Sequence, residues 1–483
     1  MIRHVFELIS YGLEKKLIDK VDCDYAVNRL AYKLEIAPKP FERVNPPGLQ
    51  AIMQPIIKHA VTEGLIGDSL PEKDNLESDL FDVLTPMPSV IQDTFDALPA
   101  KEATEYLYNL CRHNQYIKTE RIKRNKHFAH DSKYGTMKIT INLSKPEKDP
   151  KTIAKLRKTK STSYPKCLLC KENVGFYGHL SHPGRSNHRT ITMTLNGEPF
   201  HFQYSPYLYY NEHAIVLHES HIPMDVGRHT FERLFDFVER FPHYFLGSNA
   251  GLPIVGGSIL DHEHYQGGRA VFPIDHAEVI RTYEKHGVTY EILHWPLSIV
   301  RMKSTNRKTL TDEAERLRRF FLDYSDPAIN LLNETGERHN AITPVARFEG
   351  GVYTLTIALR NNRTSDTHPD GIFHPHRDVH VIKKENIGLI EVMGLAILPG
   401  RLESDLAAIA DTLKQGGTFS DTPAPYKEWV ASLDLDGHAS YEDALKSATA
   451  RTFVKGLEDC GIFKMTKTGL AHFETFMEAY LDD

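Results

Sequence analysis

The stretch VGGSILDHEHYQGG, from Val255 to Gly268, carries two histidines one residue apart and a glutamine at the same interval. The apolar residues that lead into it favour a strand, on which His262, His264 and Gln266 point to one face. Glycine pairs at both ends leave the backbone bare, so an anion can approach the amide groups closely. The sequence therefore predicts a strand that presents an imidazole beside a phosphate cradle.

The chemistry of these side chains favours reactions at phosphorus. A neutral imidazole is a competent nucleophile toward phosphorus, and the resulting phosphoramidate can pass the group onward. Gln266 can donate a hydrogen bond to a phosphoryl oxygen but cannot carry a proton near neutral pH. Such a pair suits phosphate leaving groups and acceptors better than hydrolysis. The spacing alone fits a metal site or hydrogen-bonded core histidines equally well.

Length and composition set the general class. With 483 residues the chain is long enough for several domains, and 41% hydrophobic and 25% charged residues are typical of a soluble globular protein. The net charge of -6 gives no overall reason to bind a polyanion, so no nucleic acid partner is expected. Neither a signal peptide nor an apolar stretch of membrane-spanning length is recognisable. We expect a cytoplasmic protein.

The cysteines indicate a metal or redox site. Five of them in a long chain argue against a disulfide framework and for a reducing compartment. Cys167 and Cys170 form a Cys-x-x-Cys motif, which alone supplies half of a four-coordinate zinc site. A redox pair or two buried free thiols are the alternatives.

The order of elements predicts an α+β protein. Apolar residues recur at helical spacing from the N-terminus to about residue 115, and the charged stretch TERIKRNKHFAHDSKYG reads as a connector. Asn196-Gly197 joins two alternating runs and is typical of a type I′ hairpin. Further strands and helices interleave from LYYNEHAIVLH onward, and helices close the chain.

Several segments together resemble a known enzyme family. DHEHYQGG, CLLC, TLNGEPFHFQYSPYLYYNEHAIVLHESHIPM and GSNAGLPIVGGSILDHEHYQGG are similar to the class II, bacterial form of the galactose-1-phosphate uridylyltransferases, a branch of the histidine triad superfamily. The resemblance implies histidine-triad-like antiparallel sheets with flanking helices. It implies a helical N-terminal segment over residues 1–115, a zinc-site and catalytic domain over 116–300 and a second such α+β domain over 301–483.

The resemblance also implies a reaction. His264 matches the histidine that the family uridylylates, and Gln266 matches its hydrogen-bonding partner. UDP-glucose would leave its UMP group on His264 and release glucose 1-phosphate, and galactose 1-phosphate would then collect the UMP group in a ping-pong exchange. A homodimer is expected from the family alone.

The family further implies a metal and a set of substrate contacts. The implied ligands of a structural zinc ion are Cys167, Cys170, His221 and His262. The implied contacts to the nucleotide and its phosphates are Asn211, Glu212, Asn249, Ser258, Arg121 and Arg124. By residue type alone, turn asparagines and solvated arginines are equally good readings, and Arg185 and Arg189 are rival phosphate contacts.

Other interpretations stay open from the sequence. His374, His376 and His380 fit a second metal, a substrate contact or a purely structural role. The residues that select the hexose are not recognisable. A related nucleotidyl transferase or phosphorylase with another phosphate acceptor is the nearest alternative function. A zinc-stabilised binding protein for RNA or a partner is the alternative from another class, although the acidic balance speaks against it.

Overall fold

A computed structural model describes residues 1–144, 164–179, 181–257, 259–435 and 437–483. Helices flank the strands through most of this part of the chain. The α-helices are α1 (Ile2–Glu14), α2 (Cys23–Lys33), α3 (Leu49–Thr62), α4 (Leu70–Asp82), α5 (Pro88–Ala97), α6 (Ala100–His113), α7 (Thr119–Ile122), α8 (Arg228–Arg240), α9 (Arg307–Asp323), α10 (Leu389–Val392), α11 (Arg401–Lys414), α12 (Lys427–Ala431), α13 (Tyr441–Cys460) and α14 (Lys467–Asp482).

The strands form a large and a small sheet. They are β1 (Lys126–Ser132), β2 (Gly135–Asn142), β3 (Ile191–Leu195), β4 (Glu198–Tyr204), β5 (Ala214–His218), β6 (Phe245–Gly247), β7 (His264–Gly268), β8 (Val279–Lys285), β9 (Val288–Leu293), β10 (Ile299–Ser304), β11 (Asn340–Glu349), β12 (Val352–Asn361) and β13 (Leu395–Pro399). The large sheet has the order β3-β4-β5-β7-β6-β11-β12-β10-β9-β8, and the small one β1-β2-β13.

The large sheet consists of two halves with the same topology. In each half the first three strands lie in sequence order and a helix follows the third. The fifth strand then inserts between the third and the fourth. The halves meet through the antiparallel pair β6–β11, where Val345 lies opposite Gly247. In this arrangement β12 in the second half takes the place that β7 has in the first.

The two faces of the large sheet have different roles. One face packs on α8, α9 and the N-terminal helices through a continuous apolar core that includes Tyr265 and Ala346. The other face, here called the histidine face, carries His264 and Gln266. Gln266 lies opposite Gly247, which lies opposite Val345, so this face continues in register across both halves. A second apolar core covers part of it around Trp295, β13 and the helices α10–α13.

These features confirm the predicted α+β class with antiparallel sheets, flanking helices and a helical N-terminal segment. The hairpin is also confirmed, since Asn196 and Gly197 both have positive φ between β3 and β4. The predicted connector holds a strand, β1, paired along its length with β2. Strand β10 spans the predicted boundary at residues 300–301, and the three-part division stays a prediction. No described helix is long and apolar enough to cross a bilayer.

Candidate active site and metal centre

Strand β7 presents the predicted nucleophile on the histidine face. Its neighbour β5 places Leu217 opposite His264 and Ile215 opposite Gln266. Strand β7 begins at His264, so His262 precedes it rather than lying within it. His264 is buried, with 6% of its surface exposed.

Hydrogen bonding fixes the tautomer of His264. Its Nδ1 lies 2.8 Å from the carbonyl oxygen of His262. A carbonyl only accepts, so the proton sits on Nδ1 and the lone pair on Nε2. The backbone N–H of His264 donates to Met224 Sδ at 3.3 Å, which further holds the backbone at the start of the strand. In the described part of the chain Nε2 has no hydrogen-bond partner, so it is the nitrogen that can attack an electrophile.

Burial keeps this imidazole neutral. It lowers the pKa of His264 below its ordinary value of 6.5, and the hydrogen bond to the His262 carbonyl offsets only part of that effect. A neutral ring with an available lone pair is the form that a phosphorus nucleophile requires. The geometry and the electrostatics therefore favour the same role.

Gln266 lies beside a histidine that the sequence motifs did not single out. His213 comes directly before β5 and, by strand alternation, lies on the histidine face next to Gln266. His213 is 3% exposed and stacks on Tyr210 at 4.4 Å between ring centroids. Neither of its ring nitrogens has a hydrogen-bond partner among the described residues, and Gln266 Oε1 is also buried without one. Burial lowers the pKa of His213 to about 3, so its ring is neutral.

The four predicted metal ligands come together. Cys167, Cys170, His221 and His262 offer donor atoms that all lie within 4.8 Å of one another. Cys167 Sγ lies 3.5 Å from Cys170 Sγ and 3.3 Å from His262 Nδ1. Cys170 Sγ lies 3.3 Å from His221 Nδ1. In a tetrahedral zinc site the corresponding S–S and S–N separations are about 3.8 and about 3.6 Å.

The groups around these ligands also suit a metal. His262 Nε2 lies 2.8 Å from the carbonyl oxygen of His218, which places the proton on Nε2 and leaves the Nδ1 lone pair to the centre. His221 Nε2 lies 3.1 Å from the carboxylate of Asp261. The side-chain amide of Asn173 donates to the carbonyl oxygens of Cys167 and Cys170. Donor types, distances and outer partners thus all fit a four-coordinate metal ion.

Glu212, one of the predicted ribose contacts, is held in the protein core. Tyr244 donates a hydrogen bond to one of its carboxylate oxygens, and Arg269 Nε lies 3.1 Å from the other. Its φ of 53° is in the left-handed region. The side chain of its neighbour Asn211 is exposed and donates to the carbonyl of Arg269 at 3.1 Å. Of the pair, Asn211 is the one that faces solvent.

The predicted phosphate contacts are only partly described. The Asn249 side chain is buried beside Gly257, and its Oδ1 accepts a hydrogen bond from the backbone N–H of Leu389 at 2.8 Å. Its amide N–H groups are therefore directed away from Leu389, next to the glycine pair that precedes the histidines. Ser258 lies outside the described residues.

The arginines predicted to contact the nucleotide, and their two rivals, lie in different surroundings. Arg121 is paired with Asp74 of α4 through both terminal nitrogens, and Arg124 is exposed. No described contact connects either of them with His264, so their contact with a nucleotide stays a prediction. Of the rivals, Arg189 is buried against Asp82 and several carbonyls, and Arg185 stacks on Tyr116.

The second histidine cluster is hydrogen-bonded to nearby backbone carbonyls and to Asn386, and its His376 lies 3.4 Å from Asp459. His374 Nδ1 and His380 Nε2 both lie within 3.1 Å of the carbonyl of Pro375, and His376 Nε2 lies 3.1 Å from that of Ile372. Among the described residues, the Cys/His group is the only set of three or more such donors that could hold a metal. The segment therefore fits a structural role.

The second half of the sheet has no counterpart of the nucleophile. On β12, the strand that takes the place of β7, the histidine face carries Thr354, Thr356, Ala358 and Arg360. None of these side chains is an imidazole. The predicted nucleophile, His264, therefore has its place in the first half alone among the described strands of the sheet.

Comparisons with known proteins identify the family of this chain. The family model described as galactose-1-phosphate uridyl transferase, N-terminal domain, matches residues 43–223, and the C-terminal domain model matches 237–421. A galactose-1-phosphate uridylyltransferase of Clostridium acetobutylicum is 44% identical and is covered to 99%, as is this chain. The enzyme of the same name from Clostridium perfringens is 44% identical, and the alignment covers 97% of each chain. That from Bacillus subtilis is 42% identical, and the alignment covers 99% of this chain and 97% of the relative.

Solved structures are far more distant. Yeast Ap4A phosphorylase Apa2 in complex with Ap4A covers 64% of this chain and 95% of its own, at a TM-score of 0.35 and 10% identity, too low a similarity to carry an inference. The matched domain models and the full-length relatives are decisive: this chain belongs to the galactose-1-phosphate uridylyltransferase family.

Proposed function

We propose that the chain transfers UMP from UDP-glucose to galactose 1-phosphate through a uridylyl-histidine intermediate. Family membership supports the overall reaction. The observation that carries the mechanism is the hydrogen bond from His264 Nδ1 to the carbonyl of His262, because it leaves a buried neutral imidazole with its Nε2 lone pair available.

In the first half-reaction the Nε2 lone pair attacks the α-phosphorus of UDP-glucose. The N–P bond forms as the bond from phosphorus to the bridging oxygen breaks, and the electron pair leaves on glucose 1-phosphate. A phosphate leaving group needs no general acid, which agrees with a glutamine rather than a third histidine at position 266. The Gln266 amide donates to a phosphoryl oxygen as charge develops there.

In the second half-reaction a phosphate oxygen of galactose 1-phosphate attacks the same phosphorus. The P–N bond breaks, UDP-galactose forms, and the electron pair returns to Nε2. Nδ1 keeps its proton, hydrogen-bonded to the His262 carbonyl, throughout, so the imidazole is regenerated in its starting tautomer.

Further residues are assigned to substrate binding as part of this proposal. Asn249, next to the glycine pair, and the undescribed Ser258 contact the phosphates. Asn211 and Glu212 contact the ribose, and the Arg269 and Tyr244 contacts hold the Glu212 carboxylate in place. Arg121 and Arg124 reach the nucleotide. The divisions at 115–116 and 300–301 separate the helical segment and the two α+β domains.

The metal is proposed to be zinc. Two thiolates and two imidazoles are a donor set that zinc prefers in closed structural sites. Such an ion would stabilise the loop that carries His262 and would take no part in bond making. Elemental analysis of the purified protein should then find about one zinc per chain.

Intact-mass measurement tests the central step. Incubation with UDP-glucose alone should add one UMP to the chain, and His264→Gly should abolish the adduct and lower turnover by about 10³-fold or more. His130→Gly, on strand β1, is the matched control and should keep both. Adduct formation in His264→Gly would overturn the assignment. Discharge of the adduct by inorganic phosphate or another sugar phosphate in preference to galactose 1-phosphate would instead change the acceptor.

A further inference from the structure

A cavity lies on the histidine face of the second half of the large sheet. Its volume is about 420 Å³, within the range of small-molecule sites. Strands β10, β11 and β12 contribute most of its lining, and Val271, Met393 and residues 274–276 contribute the rest. This half of the sheet therefore has room for a small molecule next to a polar face.

The internal repeat of the sheet relates this cavity to the site of the first half. Gln266 lies opposite Gly247, and Thr356 lies opposite Val345. Gly247 and Val345 lie opposite each other where the two halves meet. A two-fold axis at that pair, perpendicular to the sheet, therefore brings Thr356 to the position of Gln266. Earlier and later positions of β12 and β7 correspond in the same way.

Thr354 has the position of the proposed nucleophile, His264, because each stands two residues before the matched pair. Both Thr354 and Thr356 line the cavity and are half-buried. Neither hydroxyl makes a hydrogen bond within the described part of the chain. The second half can therefore hold a ligand by hydrogen bonds at this position, but it has no imidazole to bond covalently to phosphorus.

Cations stand beside these threonines where the first half has apolar side chains. On β10, Arg301 and Lys303 lie opposite the two threonines of β12. At the corresponding positions of β5, Ile215 and Leu217 lie opposite Gln266 and His264. The second half thus adds positive charge at the edge of its cavity.

The two cations share one carboxylate. Glu291 accepts from Arg301 Nε at 2.5 Å and from Lys303 Nζ at 2.8 Å. One positive charge is left over in this group of three. The terminal nitrogens of Arg301 have no partner among the described residues, and 12% of its side-chain surface is exposed, compared with 35% for Lys303. Both side chains line the cavity, so these donors can reach a ligand.

The rest of the lining suits a sugar. Arg347 is matched by Asp275 at 2.7 Å, so this pair adds no net charge. Glu349 is exposed and can accept hydrogen bonds from hydroxyl groups. Val271 and Met393 offer apolar surface to the face of a sugar ring. The cavity therefore combines a cationic end with acceptors and apolar contacts.

We propose that this cavity is a second, non-covalent binding site and that its ligand is a hexose monophosphate. Arg301, Lys303 and the hydroxyl of Thr354 hold the phosphate, and the carboxylates accept from the sugar hydroxyls. Strand β12 is three strands from β7, or about 14 Å across the sheet, so the ligand lies apart from the reacting atoms. The ligand is either a sugar 1-phosphate of the transfer, which rests on the proposed function, or a hexose phosphate unrelated to it.

Titration calorimetry with galactose 1-phosphate tests the site in the intact chain. UDP-glucose is left out so that no transfer occurs, and any binding beside His264 is common to all variants. Arg301→Met should weaken binding in the cavity by about 10- to 100-fold, because a charge-assisted contact to phosphate is lost. Thr354→Val keeps the shape but removes the hydroxyl and should weaken binding by about 2- to 10-fold.

The shared carboxylate protects the fold of these variants. Arg301→Met leaves Glu291 paired with Lys303, and Lys303→Met leaves it paired with Arg301. Lys303→Met is therefore a second test of the same phosphate contact. Arg281→Met, which removes an exposed arginine of β8 in the same half of the sheet, is the matched control and should bind like the wild type.

Three probes identify the source of the ligand. Tighter binding of galactose 1-phosphate than of glucose 6-phosphate would indicate a sugar 1-phosphate of the transfer, and the reverse order would indicate an unrelated hexose phosphate. Inorganic phosphate that binds as tightly as either sugar phosphate would overturn the assignment of a hexose.

The UMP adduct separates this site from the proposed function. Arg301→Met should still gain one UMP from UDP-glucose. An adduct missing from the wild type would contradict the proposed function and leave the binding test intact. An adduct missing from Arg301→Met alone would place the cavity within the UDP-glucose site and overturn a second site.

Two calorimetric results would also overturn the second site. One is the same affinity for galactose 1-phosphate in the wild type, Arg301→Met and Lys303→Met, including no measurable binding in any of them. The other is an equal loss of affinity in Arg281→Met, because a general effect of charge would then explain the data.

Discussion

His264, the proposed nucleophile, donates a hydrogen bond from Nδ1 to the backbone carbonyl of the proposed metal ligand His262, across 2.8 Å. The side chain of His262 faces Cys167 and Cys170, while its carbonyl sets the tautomer of His264, two residues later. The metal centre and the reactive nitrogen are therefore coupled through one residue. The centre can orient the nucleophile without touching a substrate.

Removal of the metal should lower stability more than it lowers the chemistry of the folded fraction. The centre joins segments about 50 and 90 residues apart in sequence, so its loss releases both the Cys167 loop and the strand entry at His262. Treatment with a chelator should lower the melting temperature markedly. Turnover per folded molecule, measured against a circular-dichroism titration, should fall much less.

Asp261→Asn provides a graded comparison for the chelator experiment. The Asp261 carboxylate holds His221 Nε2, so its replacement should weaken metal binding by about 10- to 100-fold and leave the four ligands in place. A loss of turnover that matches metal loss, with the melting temperature unchanged, would indicate a catalytic metal instead.

Replacement of Gln266 should affect the transition state more than substrate binding. Gln266→Glu keeps the shape but replaces a donor with an anion that repels the phosphoryl group, so kcat should fall by about 10²- to 10³-fold. Gln266→Asn keeps the donor on a shorter chain and should lose less. Steady-state kinetics with both substrates would show this order. Equal kcat values for the wild type and Gln266→Glu would remove the amide from the mechanism.

Some elements were predictable because their signals are local. The Asn196-Gly197 turn and the helical period of the N-terminal segment depend on neighbours in sequence, and both stand where the sequence predicts them. Strand β1 was missed because its side chains alternate between exposed and half-buried, without an apolar period. The pattern reveals a strand only where one face is buried.

The site depended on information that spacing cannot supply. Cys167 lies 95 residues from His262, so within the sequence only the family resemblance joins them. His213 stands within the quoted YYNEH stretch but belongs beside Gln266 only through the register of β5 and β7. The cavity of the second half depends on the register of β10, β11 and β12. Neither feature has a sequence signal of its own.

The ion pair between Arg233 and Glu263 should be a large contributor to stability. Glu263 lies on the strand entry between the two histidines, and its carboxylate lies 2.7 Å from Arg233 Nη1. Both side chains are buried, so Arg233→Met leaves the Glu263 carboxylate without a cation and with only the Tyr265 hydroxyl as donor. The variant also removes the Arg233–Glu198 pair and should lower the free energy of unfolding by about 3–5 kcal/mol. Urea denaturation measures this loss.

Arg228→Met on the same helix is the matched control. Arg228 pairs with Glu232 and Asp312 at the surface, where such pairs contribute at most about 1 kcal/mol. Similar losses of unfolding free energy in the two variants would show that the buried pair contributes no more to stability than the surface pairs.

His213 should orient the amide of Gln266. A neutral imidazole can donate one hydrogen bond to Gln266 Oε1 and so turn the amide N–H groups toward the substrate. His213→Phe keeps an aromatic ring but removes both nitrogens, and kcat/KM should fall about 10-fold. His213→Gln keeps a hydrogen-bond donor, so its kcat/KM should fall less than that of His213→Phe. Because the pKa of His213 is lowered to about 3, the loss should not vary between pH 6 and 8. A loss confined to one end of that range would contradict this role.

His188 should make the fold sensitive to mild acid. It is 1% exposed, stacks on Tyr116 and hydrogen-bonds Gln203 through Nε2, and burial lowers its pKa from 6.5 to about 3. Below pH 6.5 the unfolded chain therefore binds a proton that the folded chain does not, and stability falls with pH by about 1.4 kcal/mol per unit down to about pH 3. His188→Phe keeps the stacking but cannot titrate. His188→Phe should have a lower free energy of unfolding than the wild type at pH 7. This difference should shrink by about 2 kcal/mol between pH 7 and pH 5. Urea denaturation at both pH values measures that difference, and a constant deficit would mean that His188 is protonated in the folded chain as readily as in the unfolded one.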